Sequence, residues 1–448
     1  MSNTTPRTPA PRVARYEATP GQVKKALLLF SGGLDSSVMV HWLRENYGCE
    51  VVCFTLNLGD PHLDGEEIKA KAIKLGAAEA HCIDVIDRYA EEMLAPAILA
   101  NADYQGGYHL SCPLGRVMIS SEAVRIAKAT GCDAIAHGCT GKGNDQVRFD
   151  SYIQTLEPGM KIIAPVREWN MGREEEYEYA KQHGIPVRPP RLSDSGASYS
   201  HDDNLWGFTA EGGDIEYPDR VPPLDEILRL CTPPQQAPDE AEIVEIDFED
   251  GKPVALNGQS MKLSTLIAQL NKIGGRHGAG FTVLIEDRIV GLKVRGVYEN
   301  PAAHILIVAH KNLEKLVNTR DLTDMKAMMD RRWGNNVYDA RYYDQTMPAI
   351  NAFIREANVG VTGTVKVRLY KGSALVVAVT SPNALFDANL ATFERVEEMG
   401  FNTAASAPFI ELYSLQNRQA YAIAHHGKRM APEPAKPSPK FGASEGAG

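Results

Sequence analysis

The stretch that decides the fold is KALLLFSGGLDSS, residues 25–37. Residues 25–30 form a short apolar run that is typical of a buried strand. The next seven residues, SGGLDSS, place two glycines and three hydroxyl groups before a helix predicted over 36–45. Glycines let the backbone turn tightly, and the free N–H groups of a helix N-terminus attract phosphate. The stretch therefore predicts a phosphate-binding strand–loop–helix unit, although it lacks the GxxxxGK[ST] pattern of a Walker loop.

Strands and helices continue to alternate downstream of this unit. Further strands are predicted at 51–56, 134–137 and 161–166, and further helices at 65–77, at 87–100 and from 114 onward. Strands that are separated by helices form parallel sheets with ligands at their carboxyl ends. We therefore predict an α/β fold, with a doubly wound, mostly parallel sheet in a nucleotide-binding domain over 24–188. A disordered arm is expected at 1–23.

The pattern changes after Pro189-Pro190, where a second, α+β domain is predicted over 189–412. Residues 191–204 are polar and are expected to form a loop or a crossing. Alternating apolar residues around Asp250-Gly251 and Lys371-Gly372 predict hairpins. The remaining predictions are helices at 263–273, 313–330 and 416–425, and a disordered tail within 413–448.

The composition excludes several classes of protein. Apolar residues make up 44% and charged residues 23% of the 448, which suits two or three globular domains. No apolar run reaches the ~20 residues of a membrane-spanning helix, so no membrane partner is expected. The net charge of −10 argues against a nucleic-acid partner. The seven scattered cysteines lack CxxC or zinc-finger spacing, which predicts reduced thiols, a cytoplasmic protein and no metal site of its own.

A second glycine-rich stretch, HGCTGKGNDQVRF at 137–149, follows a predicted strand. It therefore lies at the same edge of the sheet as the phosphate loop. Thr140, Asn144 and Asp145 offer hydrogen-bonding groups that suit the carboxylate and ammonium of an amino acid. Arg148 follows Asn144 by four residues, so a helix would place both on one face. Since a guanidinium can bind a carboxylate or a ureido oxygen through two hydrogen bonds, the stretch predicts an amino-acid site.

These motifs resemble those of known families. SGGLDSS is similar to the pyrophosphate loop of N-type ATP pyrophosphatases, whose nucleotide domain is adenine nucleotide alpha-hydrolase-like. From about residue 24 to 415 the chain resembles the argininosuccinate synthases, because further motifs follow in that family's order. They are IAPVREW (163–169), YSHDDNLWG (199–207), GGRHGAG (274–280), IEDRIVGLKVRGVYENP (285–301) and VTGTVKVRLYKG (361–372).

The resemblance implies a reaction of arginine biosynthesis and the urea cycle. ATP activates the ureido oxygen of citrulline as an adenylate and releases pyrophosphate, and the amine of aspartate then displaces AMP to give argininosuccinate. Mg²⁺ would accompany ATP, with Asp35 as its candidate ligand. The resemblance also implies that 189–412 is a synthetase/multimerisation domain, that 413–448 holds an oligomerisation helix, and that the protein is a homotetramer.

The resemblance assigns residues to each substrate. The ATP contacts are Leu29, Phe30, Ser31, Gly32, Gly33, Leu34, Asp35, Ser36, Ser37, Leu56 and Gly138. The aspartate contacts are Thr140, Asn144 and Asp145, and the citrulline contacts are Tyr108, Asn144, Arg148, Ser200, Thr209, Glu286 and Tyr298. The candidate catalytic residues are Asp35, Asp145 and Arg148. The reaction needs positioning and charge stabilisation and no covalent nucleophile.

Four positions depart from the common family pattern. Pro113 and Thr209 stand where serines are usual, and Val294 and Asp60 also differ. Because the aspartate contacts match those of the family, any change in substrate specificity is expected for the partner that occupies the citrulline position. Three alternatives stay open: a ligase that joins aspartate to a citrulline analogue, a tRNA-modifying thiolase with the same loop, and a non-catalytic nucleotide-binding regulator.

Overall fold

The computed structural model describes residues 14–169, 171–187, 199–391 and 402–430. The chain divides into two compact units, the first ending at Leu385 and the second beginning at Phe386. Three sequence predictions lie wholly or partly outside the described residues: the first part of the arm, the domain boundary with most of the loop after it, and the tail beyond 430.

The first layer of the larger unit is a parallel sheet, which confirms the α/β prediction. Its strands are β1 (Lys25–Leu29), β2 (Glu50–Asn57), β3 (Glu79–Asp84), β4 (Ala134–Ala136) and β5 (Lys161–Ile163). They lie in the order β3-β2-β1-β4-β5. The chain thus builds outward from β1 first on one side and then on the other. The loops that follow β1 and β4 meet at this switch point, where open α/β sheets bind their ligands.

Helices cover both faces of this sheet. The helices of this part of the chain are α1 (Leu34–Asn46), α2 (Gly65–Lys74), α3 (Ile86–Tyr89), α4 (Ala95–Leu99), α5 (Ser111–Ala129), α6 (Asn144–Leu156), α7 (Pro165–Glu168) and α8 (Arg173–Gln182), of which α3 and α4 pack against elements that follow the sheet. Neighbouring residues of β1 enter different cores, Leu28 with α1, α2 and α8, and Leu27 with α5 and α6. A π-helical turn, Ala90–Leu94, joins α3 to α4 within the stretch predicted as one helix.

The sheet also orders part of the predicted N-terminal arm. Ala18 is fully buried and its N–H donates to the carbonyl oxygen of Ile162 at 2.9 Å. The prediction of disorder is therefore wrong for the described residues 14–23. The strand predicted at 161–166 is also shorter than expected, because Pro165 begins α7.

Two antiparallel sheets follow. Their strands are β6 (Ser200–Asn204), β7 (Gly207–Glu211), β8 (Glu242–Glu249), β9 (Lys252–Leu256), β10 (Gln259–Ser260), β11 (Phe281–Asp287), β12 (Lys293–Glu299), β13 (Gly363–Tyr370) and β14 (Ser373–Thr380). One sheet has the order β10-β9-β8-β13-β14 and contains both predicted hairpins. The other, β11-β12-β7-β6, was not predicted. The expected loop at 191–204 is wrong at its end, where 200–204 form β6.

The helices of this region are α9 (Leu224–Ile227), α10 (Leu263–Arg276), α11 (Pro301–Val317), α12 (Arg320–Tyr338) and α13 (Thr346–Ala357). The single helix predicted at 313–330 is wrong. The helix α11 ends before Asn318, whose backbone is extended. The Thr319 hydroxyl then caps α12 by accepting a hydrogen bond from the N–H of Leu322 at 3.4 Å.

The second unit contains α14 (Ala388–Ala391) and α15 (Ser406–His426), which is longer than the predicted helix. Most large apolar side chains of α15 are exposed, including Leu412 at 71% and Tyr413 at 73%. In the described parts of the chain, no helix combines the length and the apolar character needed to cross a membrane.

A buried ionic network holds α11 and α12 against the first layer. The Nζ of Lys326 lies 2.7 Å from Glu314 Oε1, 2.8 Å from Asp330 Oδ1 and 2.7 Å from the carbonyl oxygen of Leu99. Asn101 donates to both carboxylates, at 2.7 and 2.9 Å. Burial raises the pKa of Asp330 to about 6 although Lys326 opposes this. One cation thus pairs with two acids that are almost fully buried.

We predict that Lys326→Met lowers the free energy of unfolding by about 3–5 kcal/mol, because it leaves two buried carboxylates without their cation. Lys315→Met is the matched control, since Lys315 lies exposed on α11 and its loss should change stability by less than about 0.5 kcal/mol. Urea unfolding followed by tryptophan fluorescence measures both. A cost below about 1 kcal/mol for Lys326→Met would show that the network does not hold these helices.

Candidate active site

Two uncapped helices begin where the chain leaves β1 and β4. Gly33 precedes α1 and Gly143 precedes α6, and neither helix has a side-chain cap among the described residues. The first N–H groups of a helix have no partner within it, so both ends present donors and a positive dipole end. Since β1 and β4 are neighbours, the crevice between them is suited to two anionic groups.

The loop after β1 has the geometry that the sequence predicts for phosphate. Gly32 has a φ of +73°, which favours glycine, and the Ser31 and Ser36 hydroxyl oxygens lie 3.2 Å apart. The hydroxyl of Ser37 is buried and has no partner among the described residues. Gly138, after β4, passes so close to α1 that a Cβ there would lie 2.6 Å from Met39 Cε. The two predicted parts of the ATP site are therefore adjacent.

The other predicted ATP residues surround this loop. Leu29 ends β1, Leu34 begins α1, and Leu56 lies half-buried near the end of β2. Phe30 is 3% exposed and packs in the core, so it can offer only its backbone to a ligand.

Asp35, in the first turn of α1, has an acidic neighbour that sequence reasoning missed. Glu176 on α8 is 5% exposed, and its Oε2 has no hydrogen-bond partner among the described residues. Burial, and then the adjacent Asp35 carboxyl, raise the pKa of Glu176 to about 8. The run Glu174-Glu175-Glu176 indicates a solvated helix face in the sequence, and only packing shows that its third member is buried.

At the N-terminus of α6, Asp145 lies between two arginines. Arg116 Nε donates to Asp145 Oδ2 at 2.9 Å, and Arg148 donates to Asp145 Oδ1 at 3.0 Å. Burial by itself would raise the pKa of Asp145, but the two guanidinium groups hold it at about 2. Arg116 also bonds the carboxylate of Asp202 on β6. It therefore joins α5, α6 and the β11-β12-β7-β6 sheet, and sequence reasoning did not identify it.

Four predicted citrulline contacts lie on one face of the β11-β12-β7-β6 sheet. Tyr298 is opposite Thr209, Thr209 is opposite Asp202, and the alternation along β6 and β11 brings Ser200 and Glu286 to the same side. Gly296 leaves room for Tyr298, because a Cβ there would lie 2.6 Å from the tyrosine hydroxyl oxygen. Ser200 is exposed, whereas Thr209, Glu286 and Tyr298 are buried.

Glu286 is the acidic centre of this face. It is 3% exposed, and its Oε2 has no hydrogen-bond partner among the described residues. Burial raises its pKa, although Tyr338, Arg148 and Tyr298 oppose the shift. A buried carboxylate oxygen without a partner is costly and favours a cationic ligand such as an ammonium group.

Tyr338, at the end of α12, is a second residue that sequence reasoning missed. Its hydroxyl accepts from Asn144 Nδ2 at 2.9 Å, and its carbonyl oxygen accepts from Arg148 Nε at 3.2 Å. Its ring stacks on Tyr104 with centroids 3.5 Å apart. Asn144 and Arg148 therefore contact protein groups as well as facing the site, and Tyr338 sets their orientation. No motif in the sequence marks it.

The turn between β11 and β12 closes on the second motif. The N–H of Ile289 donates to Asn144 Oδ1 at 2.9 Å, and Arg288 donates to the carbonyl oxygen of Lys142 at 3.2 Å. Thr140, in the same loop, is exposed. Tyr108 is buried with its ring centroid 4.2 Å from that of Tyr298. The structure thus brings the predicted aspartate and citrulline residues together at one end of the crevice.

Two of the departures lie on the face of the sheet that carries Glu286. Val294 lies directly opposite Glu286, and Thr209 lies opposite Tyr298. Pro113 is buried in the first turn of α5, where a missing N–H costs no helical hydrogen bond. Val294 and Thr209 can therefore shape the site that contains Glu286.

The chain is similar to known proteins over most of its length. Residues 25–186 match the family model described as the arginosuccinate synthase N-terminal HUP domain, and residues 199–420 match the arginosuccinate synthase C-terminal domain. An argininosuccinate synthase of Symbiobacterium thermophilum is 42% identical over 400 residues, 89% of this chain and 98% of that protein. One of Pyrococcus furiosus is 45% identical over 401 residues, 90% of this chain and 95% of that protein.

We predict that Glu176→Gln changes how stability depends on pH. The folded chain keeps the Glu176 proton up to a pH of about 8, whereas the unfolded chain loses it near the ordinary carboxyl pKa of 4.5. Between these values the folded state binds more protons, so wild-type stability falls as pH rises. Glu176→Gln lacks this fall. Its free energy of unfolding should therefore rise relative to that of the wild type by about 1–3 kcal/mol between pH 5 and 8.

Thermal unfolding across this pH range measures the difference, with Glu174→Gln on the same helix as the exposed control. A constant difference between Glu176→Gln and wild type at every pH would contradict the raised pKa.

Proposed function

The chain belongs to the argininosuccinate synthase family, and we propose that the crevice between Gly33, Gly138 and Glu286 is its catalytic site. As a member of this family it is an ATP-dependent, AMP-forming carbon–nitrogen ligase that joins citrulline and aspartate into argininosuccinate. The observation that carries the proposal is the juxtaposition of two open helix N-termini with a buried carboxylate whose Oε2 has no partner among the residues that the structure describes.

The β1–α1 loop would hold the phosphates of ATP. Its support is the uncapped end of α1, the hydroxyls of Ser31, Ser36 and Ser37, and the close passage of Gly138. Leu56 lies on β2, which is separated from β4 by β1 in the sheet. It would contact the adenine through its half-buried side chain.

The residues beside the phosphate loop fit Mg²⁺. Carboxylate oxygens are the ligands that Mg²⁺ prefers, and Asp35 and Glu176 supply two of them, one with a buried oxygen that lacks a partner. When bound with ATP, the ion would neutralise part of the phosphate charge. Asp35 would hold it, and Glu176 would release its proton as positive charge enters the site.

The face that carries Glu286 would bind citrulline. Glu286 would take the α-ammonium, while Tyr108, Tyr298, Thr209 and Ser200 would offer hydroxyl groups to the rest of the molecule. The Oε2 of Glu286 supports this assignment, because an ammonium would provide the partner that this buried oxygen lacks.

The N-terminus of α6 and the loop before it would bind aspartate through Thr140, Asn144 and Asp145. The helix N-terminus would attract a carboxylate of the substrate. Arg116 and Arg148 keep Asp145 ionised, as its pKa of about 2 indicates. An ionised Asp145 can attract the ammonium form of the incoming aspartate.

The chemistry then depends on position. The ureido oxygen attacks the α-phosphorus, an O–P bond forms, and pyrophosphate leaves from the loop. The aspartate ammonium next loses a proton to water, the free amine attacks the ureido carbon, and AMP leaves as the bond between that carbon and the adenylate oxygen breaks. Arg148, held by Asp145 and the Tyr338 carbonyl, would stabilise the negative charge that develops on these groups.

We further propose a homotetramer in the cytoplasm. The exposed apolar side chains of α15 support assembly through a second copy of the chain, because a lone helix of 21 residues leaves this surface in water. All seven cysteines, which lie among the described residues, are free thiols, and this supports a reducing compartment.

We predict that the protein forms AMP, pyrophosphate and argininosuccinate only when ATP, citrulline and aspartate are all present. Glu286→Gln should raise the KM for citrulline by about tenfold to a hundredfold, because a charged hydrogen bond is lost, and leave the KM for aspartate nearly unchanged. Asp287→Asn is the matched control, since Asp287 points to the opposite face of β11.

A panel of ureido acids completes this experiment. Citrulline should have the highest kcat/KM, because only Pro113 loses a polar contact. An analogue that exceeds citrulline by about tenfold or more would favour the paralogous ligase, and turnover without aspartate would contradict the proposed reaction.

We predict that a chain ending at residue 405, without α15, has a lower molar mass in solution than the full chain. A chain ending at 430 is the matched control and should keep the full assembly, because residues 431–448 are rich in Pro, Gly and Ala and offer little apolar surface. Light scattering after size exclusion measures both, and an unchanged mass for the shorter chain would refute assembly through α15.

A further inference from the structure

Three potential metal ligands converge on the surface of the first layer, away from the crevice. They are His41 and Glu45 on α1 and His183 at the end of α8, and their ligand atoms all lie within 4.8 Å of one another. His41 lies about 10 Å along α1 from the first residue of the helix, Leu34, at a rise of ~1.5 Å per residue. The cluster is therefore separate from the phosphate loop.

The packing of two helices creates this cluster. His41 and Glu45 are four residues apart and share a face of α1, with His41 Nδ1 3.7 Å from Glu45 Oε2. α8 packs against α1, and His183 directly follows its last residue, with its ring centroid 4.3 Å from that of His41. Sequence spacing alone could not indicate the site, because its third member comes 138 residues after Glu45.

A tyrosine hydroxyl holds two of the three side chains in place. The Tyr179 hydroxyl lies 2.9 Å from both His41 Nδ1 and Glu45 Oε2. It donates to the carboxylate and accepts from the ring, which orients both side chains in the way that outer partners orient metal ligands.

We propose that His41, Glu45 and His183 bind one divalent transition metal ion of the Zn²⁺, Co²⁺ or Ni²⁺ class, with water completing its coordination. Two imidazoles and a carboxylate are a common ligand set for such ions, whereas Mg²⁺ prefers oxygen ligands. The ion would join α1, which carries Asp35, to α8, which carries Glu176. It would therefore stabilise the packing that holds this carboxyl pair together, without contacting it.

The experiment titrates metal-free, full-length protein with Co²⁺ and Zn²⁺. The wild type should bind one equivalent, with a visible Co²⁺ absorption band, and Zn²⁺ at about a hundred times its Kd should raise the melting temperature by about 2–5 °C. His41→Ala, His183→Ala and the milder Glu45→Gln should each weaken binding at least about tenfold. Mg²⁺ should not compete. The readouts are independent of ligase activity, so they do not depend on the proposed function.

His81→Ala is the matched control, because His81 also faces a carboxylate, Glu79 at 3.3 Å, but belongs to no group of three ligands within the described parts of the chain. It should bind metal as the wild type does. A second control, His425→Ala with His426→Ala, removes the adjacent histidines of α15. The proposal is overturned if the wild type binds only at millimolar metal, if binding survives both His41→Ala and His183→Ala, or if either control loses it.

Discussion

Arg116 makes the ionic contacts on which the geometry of the site depends. Its guanidinium bonds Asp145 at the start of α6 and Asp202 on β6, so one side chain spans the parallel layer and an antiparallel sheet. Its side chain is only 15% exposed, and a charge in such a place is stable only when it is paired. The three groups therefore hold one another at fixed positions, and any movement between the layers would leave a charge without its partner.

The second constraint is the register of the β11-β12-β7-β6 sheet. Because side chains alternate along a strand, a shift of one residue would move Glu286 and Tyr298 to the opposite face. In this register the Tyr298 hydroxyl lies over Gly296. Any larger residue at position 296 would displace that hydroxyl. The turn that follows β11 then contacts Asn144 and Lys142, so the register of the sheet also positions the loop after β4.

Electrostatics then divides the crevice into regions of different character. The N-termini of α1 and α6 supply positive potential, while burial disfavours the charge of Glu286 and Glu176. Burial raises the pKa of both acids, whereas Arg116 and Arg148 hold the pKa of Asp145 low. Such groups are unfavourable in the free protein and favour ligands that bring positive charge.

The sequence by itself determined four of the five strands of the parallel layer, all except β3, together with both predicted hairpins and the two glycine-rich loops. These features depend on local patterns, namely apolar runs, turn dipeptides and glycines before helices, which act over a few residues. It did not determine β6, the break at Asn318, or the roles of Arg116, Glu176 and Tyr338. Those depend on contacts between residues far apart in the chain: Arg116 meets Asp202, Glu176 meets Asp35, and Tyr338 meets Asn144. Only the tertiary structure decides which polar residues are buried together, because burial and pairing are properties of the packed chain and not of its local sequence.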